Sequence, residues 1–267
     1  MNVPDIKTLT NRILLLKKSV RIVRVKIRKH LMPYHLQDSR YTPSPSQMSS
    51  SSGAHAGQAV YTARTLKIYD LLVLGISNRW IWKCPTAKLL EFYNQHITAN
   101  HLDVGVGTGY FLDRCSFPNS EPRIELLDLN PNSLASTARR INRYQPVTHQ
   151  ANVLEPLQLE TEAFDSIGLN YLLHCVPGKM AEKVIAFDHL NARLKPGGTV
   201  FGSTLVQGGV QRNPAARMLM ALYNRKGIFC NEADSLDSLR SALAERYETF
   251  HITSIGCAAL FSAQQPK

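Results

Sequence analysis

The chain has 267 residues, of which 44% are hydrophobic and 19% are charged. That is enough apolar material for one substantial core, whereas no stretch approaches the about 18 uninterrupted apolar residues that a membrane-spanning helix needs. The five cysteines include no C-x-x-C pair, which disfavours a disulfide framework and a zinc site and points to a reducing compartment, the cytoplasm.

The formal net charge of +11 is concentrated in the first part of the chain. Residues 1–55 hold ten Lys and Arg against two acids, so the remainder is close to balanced. A surface that binds nucleic acid should be basic on the folded domain itself. We therefore expect no nucleic-acid partner.

Residues 1–57 are predicted to form a basic, Ser/Pro-rich and disordered extension, because the run TPSPSQMSSSSGAHAG cannot bury enough surface to fold. Its acid-poor, Arg-containing start also resembles a mitochondrial transit segment, so a mitochondrial location stays open beside a cytoplasmic one. From residue 58 onward, helical and strand-like segments alternate between short Gly, Pro and Asn signals. This alternation predicts one α/β domain over residues 58–267.

The segment ITANHLDVGVGTGYFL, residues 97–112, is typical of a strand, a tight turn and a helix. Asp103 lies near the end of the apolar run, and Gly105, Gly107 and Gly109 follow at alternate positions. Glycines in this pattern let the backbone adopt conformations closed to other residues and let a ligand lie directly on the main chain. The turn is predicted to be a binding loop.

Two details of this loop indicate which ligand it binds. A dinucleotide fingerprint, G-x-G-x-x-G, needs its third glycine at position 110, where the chain has Tyr110. A carboxylate at Asp103 would repel a pyrophosphate lodged at the helix N-terminus. S-adenosylmethionine has no phosphate, and its ammonium and sulfonium groups are cations, so the charge of Asp103 favours it.

The segment RIELLDLNPNSL places an apolar strand at residues 124–127 and Asp128 at its carboxyl end. In a βαβ unit, an acid about 20 residues beyond the glycine loop accepts hydrogen bonds from both ribose hydroxyls. The alternative is that Asp128 merely ends a strand at the surface. Asn130 and Pro131 are typical of the N-cap and first residue of the following helix.

The second half of the domain continues the alternation. Residues 164–178 predict a buried strand that opens into a turn, and Met180, Val184, Phe187 and Leu194 then predict a helix that ends at residues 195–198, Lys-Pro-Gly-Gly. A strand, TVFGSTLV, follows, and residues 235–245 predict a last helix. Two final strands are predicted to meet at a bend near Gly256.

The motif LDVGVGTG, together with the acid at Asp128, resembles class I S-adenosylmethionine-dependent methyltransferases. The resemblance spans about residues 60–265 and implies a Rossmann-like, seven-stranded, mostly parallel sheet with a closing antiparallel strand and helices on both faces. It also implies an adenine contact at Asn152 and Val153, although Asn152 replaces the aspartate common in that family. Leu129 and Asn170 are implied as further cofactor contacts.

Transfer from a sulfonium is an in-line displacement with a neutral leaving group, so positioning dominates. A protein base is needed only where the acceptor keeps its proton near neutral pH. His174 is the best candidate for such a base, and the alternative is a packing role. No metal is expected, because the catechol-type ligand pattern is missing from the sequence.

Motifs of enzymes that methylate nucleic-acid bases or arginine are also missing, which leaves a small-molecule substrate. Candidate substrate-contacting residues are Tyr61, Tyr69 and Trp82 ahead of the core and Tyr223 before the last helix. The alternative for the first three is that they pack the first helix onto the sheet.

The whole pattern, including HLDVGVGTGYFLD and PGGTVFGSTLV, resembles small methyltransferases of fungal polyketide clusters, including those of pyrone-type products. This similarity implies O-methylation of an enolic or phenolic hydroxyl. Two alternatives remain: an RNA or protein methyltransferase anchored by the basic tail, and a non-catalytic S-adenosylmethionine-binding partner of a regulatory complex. The sequence leaves the oligomeric state open.

Overall fold

The computed structural model describes residues 70–267. The predicted extension over residues 1–57, and the candidate residues Tyr61 and Tyr69, lie outside the described residues. Within the described range no helix is both long and apolar enough to cross a membrane.

Seven strands and the helices between them follow the predicted alternation. The strands are β1 (Asn100–Val104), β2 (Arg123–Asp128), β3 (Val147–Gln150), β4 (Phe164–Asn170), β5 (Leu194–Leu205), β6 (Tyr247–Ile255) and β7 (Ala258–Pro266). The helices are α1 (Asp70–Ile81, a π-helix), α2 (Thr86–His96), α3 (Tyr110–Arg114), α4 (Pro131–Arg140), α5 (Met180–Lys183), α6 (Ile185–Asn191), α7 (Pro214–Arg225) and α8 (Leu236–Arg246). Short 3-10 turns lie at Asn142–Tyr144 and Leu173–Cys175.

The strands form one seven-stranded sheet in the order β3-β2-β1-β4-β5-β7-β6. Strands β1 to β5 pair in parallel, and β7 lies antiparallel between β5 and β6. This confirms the predicted fold class. The order reverses between β1 and β4, and in open parallel sheets a ligand binds at the carboxyl ends of the strands beside such a reversal.

Apolar clusters cover both faces of the sheet, which is why its inner strands are almost wholly buried. Leu126 belongs to the cluster that contains Leu112, whereas its neighbour Leu127 belongs to the cluster that contains Phe187. Successive residues of a strand point to opposite faces. The parallel strands are therefore held between two layers of side chains.

The bend predicted near Gly256 is confirmed. Gly256 joins β6 to β7 with a φ of +58°, in the left-handed region that favours glycine. A Cβ atom there would lie 2.1 Å from the backbone oxygen of Trp82, so no other residue fits without a shift of the backbone.

The predicted end of the helix after β4 was wrong. This segment forms two short helices, and the second ends at Asn191, so Leu194 and the Lys-Pro-Gly-Gly sequence belong to β5. Leu194 pairs with Phe164, and the register then shifts before Ser166 pairs with Thr199. The proline and glycines therefore form an irregularity at the start of a strand rather than a stop to a helix.

Candidate active site

The two acids singled out in the sequence lie at the same edge of the sheet. Val104 pairs with Leu127 in parallel register, and the backbone N–H of Gly105 donates to the carbonyl of Leu127 at 2.8 Å. Asp103 therefore precedes the glycine loop on β1, and Asp128 ends the neighbouring strand, β2. The predicted strand-turn-helix context is confirmed, and the loop lies between two carboxylates.

The glycine loop is left-handed at all three glycines, with φ of +71° at Gly105, +54° at Gly107 and +70° at Gly109. A Cβ atom at Gly105 or Gly109 would lie 2.7 Å from a side-chain atom of Leu172 or Thr137. At Gly107 it would meet nothing within 4 Å. A side chain would therefore crowd a neighbour at the outer two glycines, whereas Gly107 faces open space into which a ligand can settle.

The Asp128 carboxylate is held by backbone donors. Its Oδ1 accepts from the N–H of Asn130 at 2.8 Å, and the N–H groups of Gly107 and Val106 also point at it. Burial raises the pKa of Asp128 to about 6, although the three backbone donors lower it. The negative charge of Asp103 adds to the rise. The site therefore carries two acids that repel each other, which favours a cationic or hydroxyl-bearing ligand over a phosphate.

The helix after Asp128 begins as the sequence predicted. Asn130 is the N-cap of α4, with its side-chain oxygen accepting from the N–H of Asn132 at 2.9 Å, and Pro131 is the first helical residue. The cap fixes the direction in which the chain leaves β2. Leu129, between the strand and the cap, has its carbonyl 3.4 Å from Nε2 of Gln150.

The side chain of Asn152 stabilises its own loop after β3. Its Oδ1 accepts from the N–H of Leu154 at 3.1 Å, and its Nδ2 donates to Oε1 of Glu155 at 3.0 Å. Val153 is buried, and its carbonyl lies 3.1 Å from Nδ1 of His189. The amide oxygen of Asn152 has a second lone pair, so the adenine contact remains a prediction.

Asn170 ends β4 with a buried donor that lacks an acceptor. Its Oδ1 accepts from the Ser203 hydroxyl at 3.0 Å, whereas Nδ2 has no hydrogen-bond partner among the residues from 70 onward. A buried unpaired amide is costly. An acceptor on a bound ligand would satisfy it, which fits the predicted cofactor contact.

His174 is buried, and its ring accepts a hydrogen bond from the backbone. The N–H of Leu205 donates to Nδ1 at 3.3 Å, so the neutral ring carries its hydrogen on Nε2. Burial lowers the pKa of His174 to about 3, and the positive charge of Lys183 contributes. At neutral pH this ring is a weak base with a donor at its other nitrogen, which argues against the general-base hypothesis.

Two of the predicted substrate residues meet at an aromatic side chain that the sequence analysis missed, Phe229. The Phe229 ring lies 4.9 Å from the ring of Tyr223, 6.2 Å from Trp82 and 4.5 Å from His174. Trp82 is 1% exposed, which favours the packing interpretation of that residue. Phe229 lies in an irregular segment without periodicity, so no local pattern marked it.

Tyr171 was also missed. It follows Asn170 directly and has a φ of +56°, a strained conformation for a bulky residue. Its hydroxyl donates to Oδ1 of the buried Asn78 at 3.1 Å, which ties the carboxyl end of β4 to α1. Strained residues concentrate at functional sites, and this one borders the edge described above.

Comparison with known proteins agrees with this geometry. A family model described as a methyltransferase domain matches residues 102–200, which contain the glycine loop and Asp128. The chain is 48% identical over 207 residues to demethylluteothin O-methyltransferase of Streptomyces thioluteus, covering 78% of this chain and 90% of that protein. It is 38% identical over 213 residues to the physcion biosynthesis cluster O-methyltransferase of Aspergillus chevalieri, covering 79% and 96%.

The fold is shared with solved structures of low sequence identity. The DhpI complex with S-adenosylhomocysteine superposes with a TM-score of 0.58 at 15% identity, covering 80% of this chain and 98% of that one. A loop that suits a cationic nucleoside derivative without phosphate thus occurs on a matching sheet, in a chain that is 48% identical to a named methyltransferase. The chain belongs to the S-adenosylmethionine-dependent methyltransferase family.

Proposed function

We propose that this protein transfers a methyl group from S-adenosylmethionine to an enolic or phenolic hydroxyl of a small polyketide-type molecule. We propose oxygen as the methylated atom because the chain is 48% identical to a protein named as an O-methyltransferase. The match covers 90% of that protein's length. The relative from the Aspergillus cluster carries the same activity in its name.

The cofactor is proposed to lie across the glycine loop. Asp128 would accept from the ribose hydroxyls, and the open space above Gly107 would take the chain between ribose and amino acid. Asp103 would face the ammonium group, Asn152 and Val153 the adenine, and Asn170 a polar acceptor on the ligand. These assignments follow the positions of the groups at the carboxyl ends of β1 to β4.

When bound, S-adenosylmethionine supplies an electrophilic methyl group on a positively charged sulfur. The chain's task is then to hold the acceptor oxygen in line and to exclude water. Since His174 is neutral and a weak base, we propose that the acceptor reaches the site as a hydroxyl acidic enough to ionise near neutral pH. His174 would contribute packing and a hydrogen-bond donor.

The acceptor is proposed to lie against Tyr223, whose ring packs on the buried Phe229, beyond the carboxyl end of β4, where Tyr171 follows Asn170. Burial raises the pKa of Tyr223, so its hydroxyl stays protonated and can donate to a carbonyl of the acceptor. Trp82 would support this wall from behind, because its ring packs near Phe229. An apolar wall with few polar groups suits a flat aromatic or pyrone ring.

Isotope transfer tests the proposal. An extract of cells that lack the protein is incubated with the purified enzyme and S-adenosylmethionine carrying a deuterated methyl group. We expect one small molecule to gain the labelled methyl on oxygen, located by mass spectrometry and NMR. Label on nitrogen, carbon or a macromolecule would refute it.

A pair of carboxylate variants controls this assay. Asp128→Ala should abolish labelling, whereas Asp165→Ala should leave it unchanged. Asp165 is a half-buried acid at the amino end of β4, paired with Lys195 at 3.3 Å, and it lies at the opposite edge of the sheet.

A further inference from the structure

A row of buried polar side chains leads from β4 to the Asp103 carboxylate. The Ser166 hydroxyl lies 2.8 Å from Nδ1 of His101, and Nε2 of His101 lies 3.1 Å from the Tyr93 hydroxyl. That hydroxyl donates to Oδ1 of Asp103 at 3.0 Å. All four side chains are buried, and the row ends at the acid beside the glycine loop.

The direction of these hydrogen bonds can be assigned from the carboxylate end. An ionised carboxylate only accepts, so the single hydroxyl hydrogen of Tyr93 points at Asp103. Nε2 of His101 must then donate to the Tyr93 oxygen, and the Ser166 hydroxyl is the hydrogen-bond partner of Nδ1 on the other side of the ring. Burial and the charge of Asp103 raise the pKa of Tyr93 well above its ordinary value, so the hydroxyl keeps its hydrogen.

The surroundings hold this row in place. A Cβ atom at Gly168 on β4 would lie 3.0 Å from Cε1 of His101 and 3.2 Å from Oδ1 of Asp103, so only glycine leaves this room. The Tyr93 ring stacks on Phe111 with centroids 5.5 Å apart and meets Phe201 edge-on at 5.3 Å. Phe111 belongs to α3, the helix that the glycine loop opens.

We propose that Tyr93, oriented by His101 and Ser166, is a positioning residue that fixes Oδ1 of Asp103 so that the other carboxylate oxygen receives the α-ammonium group of the cofactor. This inference rests on the proposed placement of the cofactor. Hydrogen bonds to a carboxylate are about twice as strong as neutral ones, and a fixed acceptor recognises a cation better than a rotating one. The row therefore acts on the amino-acid half of the cofactor and not on its adenosine half.

The test compares two ligands that share adenosine. S-adenosylhomocysteine carries the ammonium group, and 5′-methylthioadenosine lacks the amino-acid part. In calorimetric titrations, Tyr93→Phe should weaken S-adenosylhomocysteine binding about tenfold and leave methylthioadenosine binding unchanged. Nε2 of His101 lies 3.7 Å from Oδ1 of Asp103, beyond hydrogen-bond distance, so without a movement of the ring it does not supply the lost donor.

Tyr247→Phe is the matched control, because its buried hydroxyl donates to Asn191 at 2.6 Å, far along the chain from the loop. It should leave both affinities unchanged while losing a similar amount of stability. Ser166→Ala, which removes the far end of the row, should show the same selectivity with a smaller loss, and it serves if Tyr93→Phe does not fold.

The outcomes separate the two proposals. A wild-type protein that binds neither ligand overturns the proposed function. A wild-type protein that binds both, with Tyr93→Phe and Ser166→Ala losing both ligands equally or losing neither, overturns the positioning role of Tyr93.

Discussion

The affinity for the cofactor should depend on pH through Asp128. In the ligand-free protein, burial and the charge of Asp103 raise the pKa of this acid from its ordinary value of 3.8 to about 6. Ribose hydroxyls donate to a carboxylate, so the ionised form binds and the protonated form binds poorly. Affinity should therefore be nearly full about one pH unit above this pKa of about 6, and it should fall as the pH drops through that value.

The magnitude follows from the fraction ionised. One pH unit below the pKa, about one molecule in eleven carries the carboxylate, so the dissociation constant of S-adenosylhomocysteine should rise about tenfold between pH 8 and pH 5. Below the pKa that Asp128 has in the complex, the dissociation constant stops rising, because Asp128 is then protonated in both the free and the bound protein. Binding near pH 6 should also release protons, because the ligand shifts Asp128 toward its ionised form.

Calorimetry at several pH values, in buffers of different ionisation enthalpy, measures both the affinity and the proton release. Asp128→Asn is the matched variant, since the amide has the same shape and no ionisation in this range. It should bind about 10- to 100-fold more weakly at pH 8, the usual loss for hydrogen bonds to a charged group, with affinity independent of pH. A wild-type pH dependence that persists in Asp128→Asn would show that another group titrates.

Three further substitutions test other parts of the account. Gly107→Ala places a methyl group in the open space above the loop at a φ of +54°, so this variant should lose S-adenosylhomocysteine binding. Its free energy of unfolding, measured with denaturant, should fall by only about 1–2 kcal/mol. Unchanged affinity would contradict the placement of the ligand there. Lys183→Met leaves the buried Asp234 carboxylate without its partner at 2.6 Å and should destabilise the fold by about 3–5 kcal/mol. Adding Asp234→Leu should recover part of this loss. A Lys183→Met variant of unchanged stability would show that the pair is open to water. His174→Gln should keep turnover within about threefold of wild type with the same pH profile, because the pKa of His174 is about 3 and the ring is a weak base, while a loss of about 100-fold or more would identify a general base.

The parts of the site that depend on local sequence were predictable. Asp103, the three loop glycines and Asp128 follow from the spacing of one βαβ unit, and the cap at Asn130 follows from residue type. These features need only neighbours along the chain, and the parallel register brings them to one edge. The seven-stranded, mostly parallel sheet was predicted from the family resemblance alone, and its strand order was not predicted, because no local pattern specifies which strands pair.

The parts that depend on contacts between distant segments were not predictable. The row through Ser166, His101 and Tyr93 joins residues of two strands and a helix. In the sequence, each of these residues is typical of an ordinary core position. Phe229 and Tyr171 lie in irregular segments, and no local sequence pattern predicts where such segments place their side chains. The Lys-Pro-Gly-Gly sequence misled because proline and glycine mark both helix ends and irregular strand starts, and only pairing with β4 distinguishes the two.

A crystal structure of the protein with S-adenosylhomocysteine would locate the cofactor relative to Asp128. We expect both ribose hydroxyls within hydrogen-bond distance of the Asp128 carboxylate, with the ligand chain passing over Gly107 and the ammonium group beside Asp103. Ligand bound away from the carboxyl ends of β1 and β2, with Asp128 still bonded only to backbone N–H groups, would contradict it.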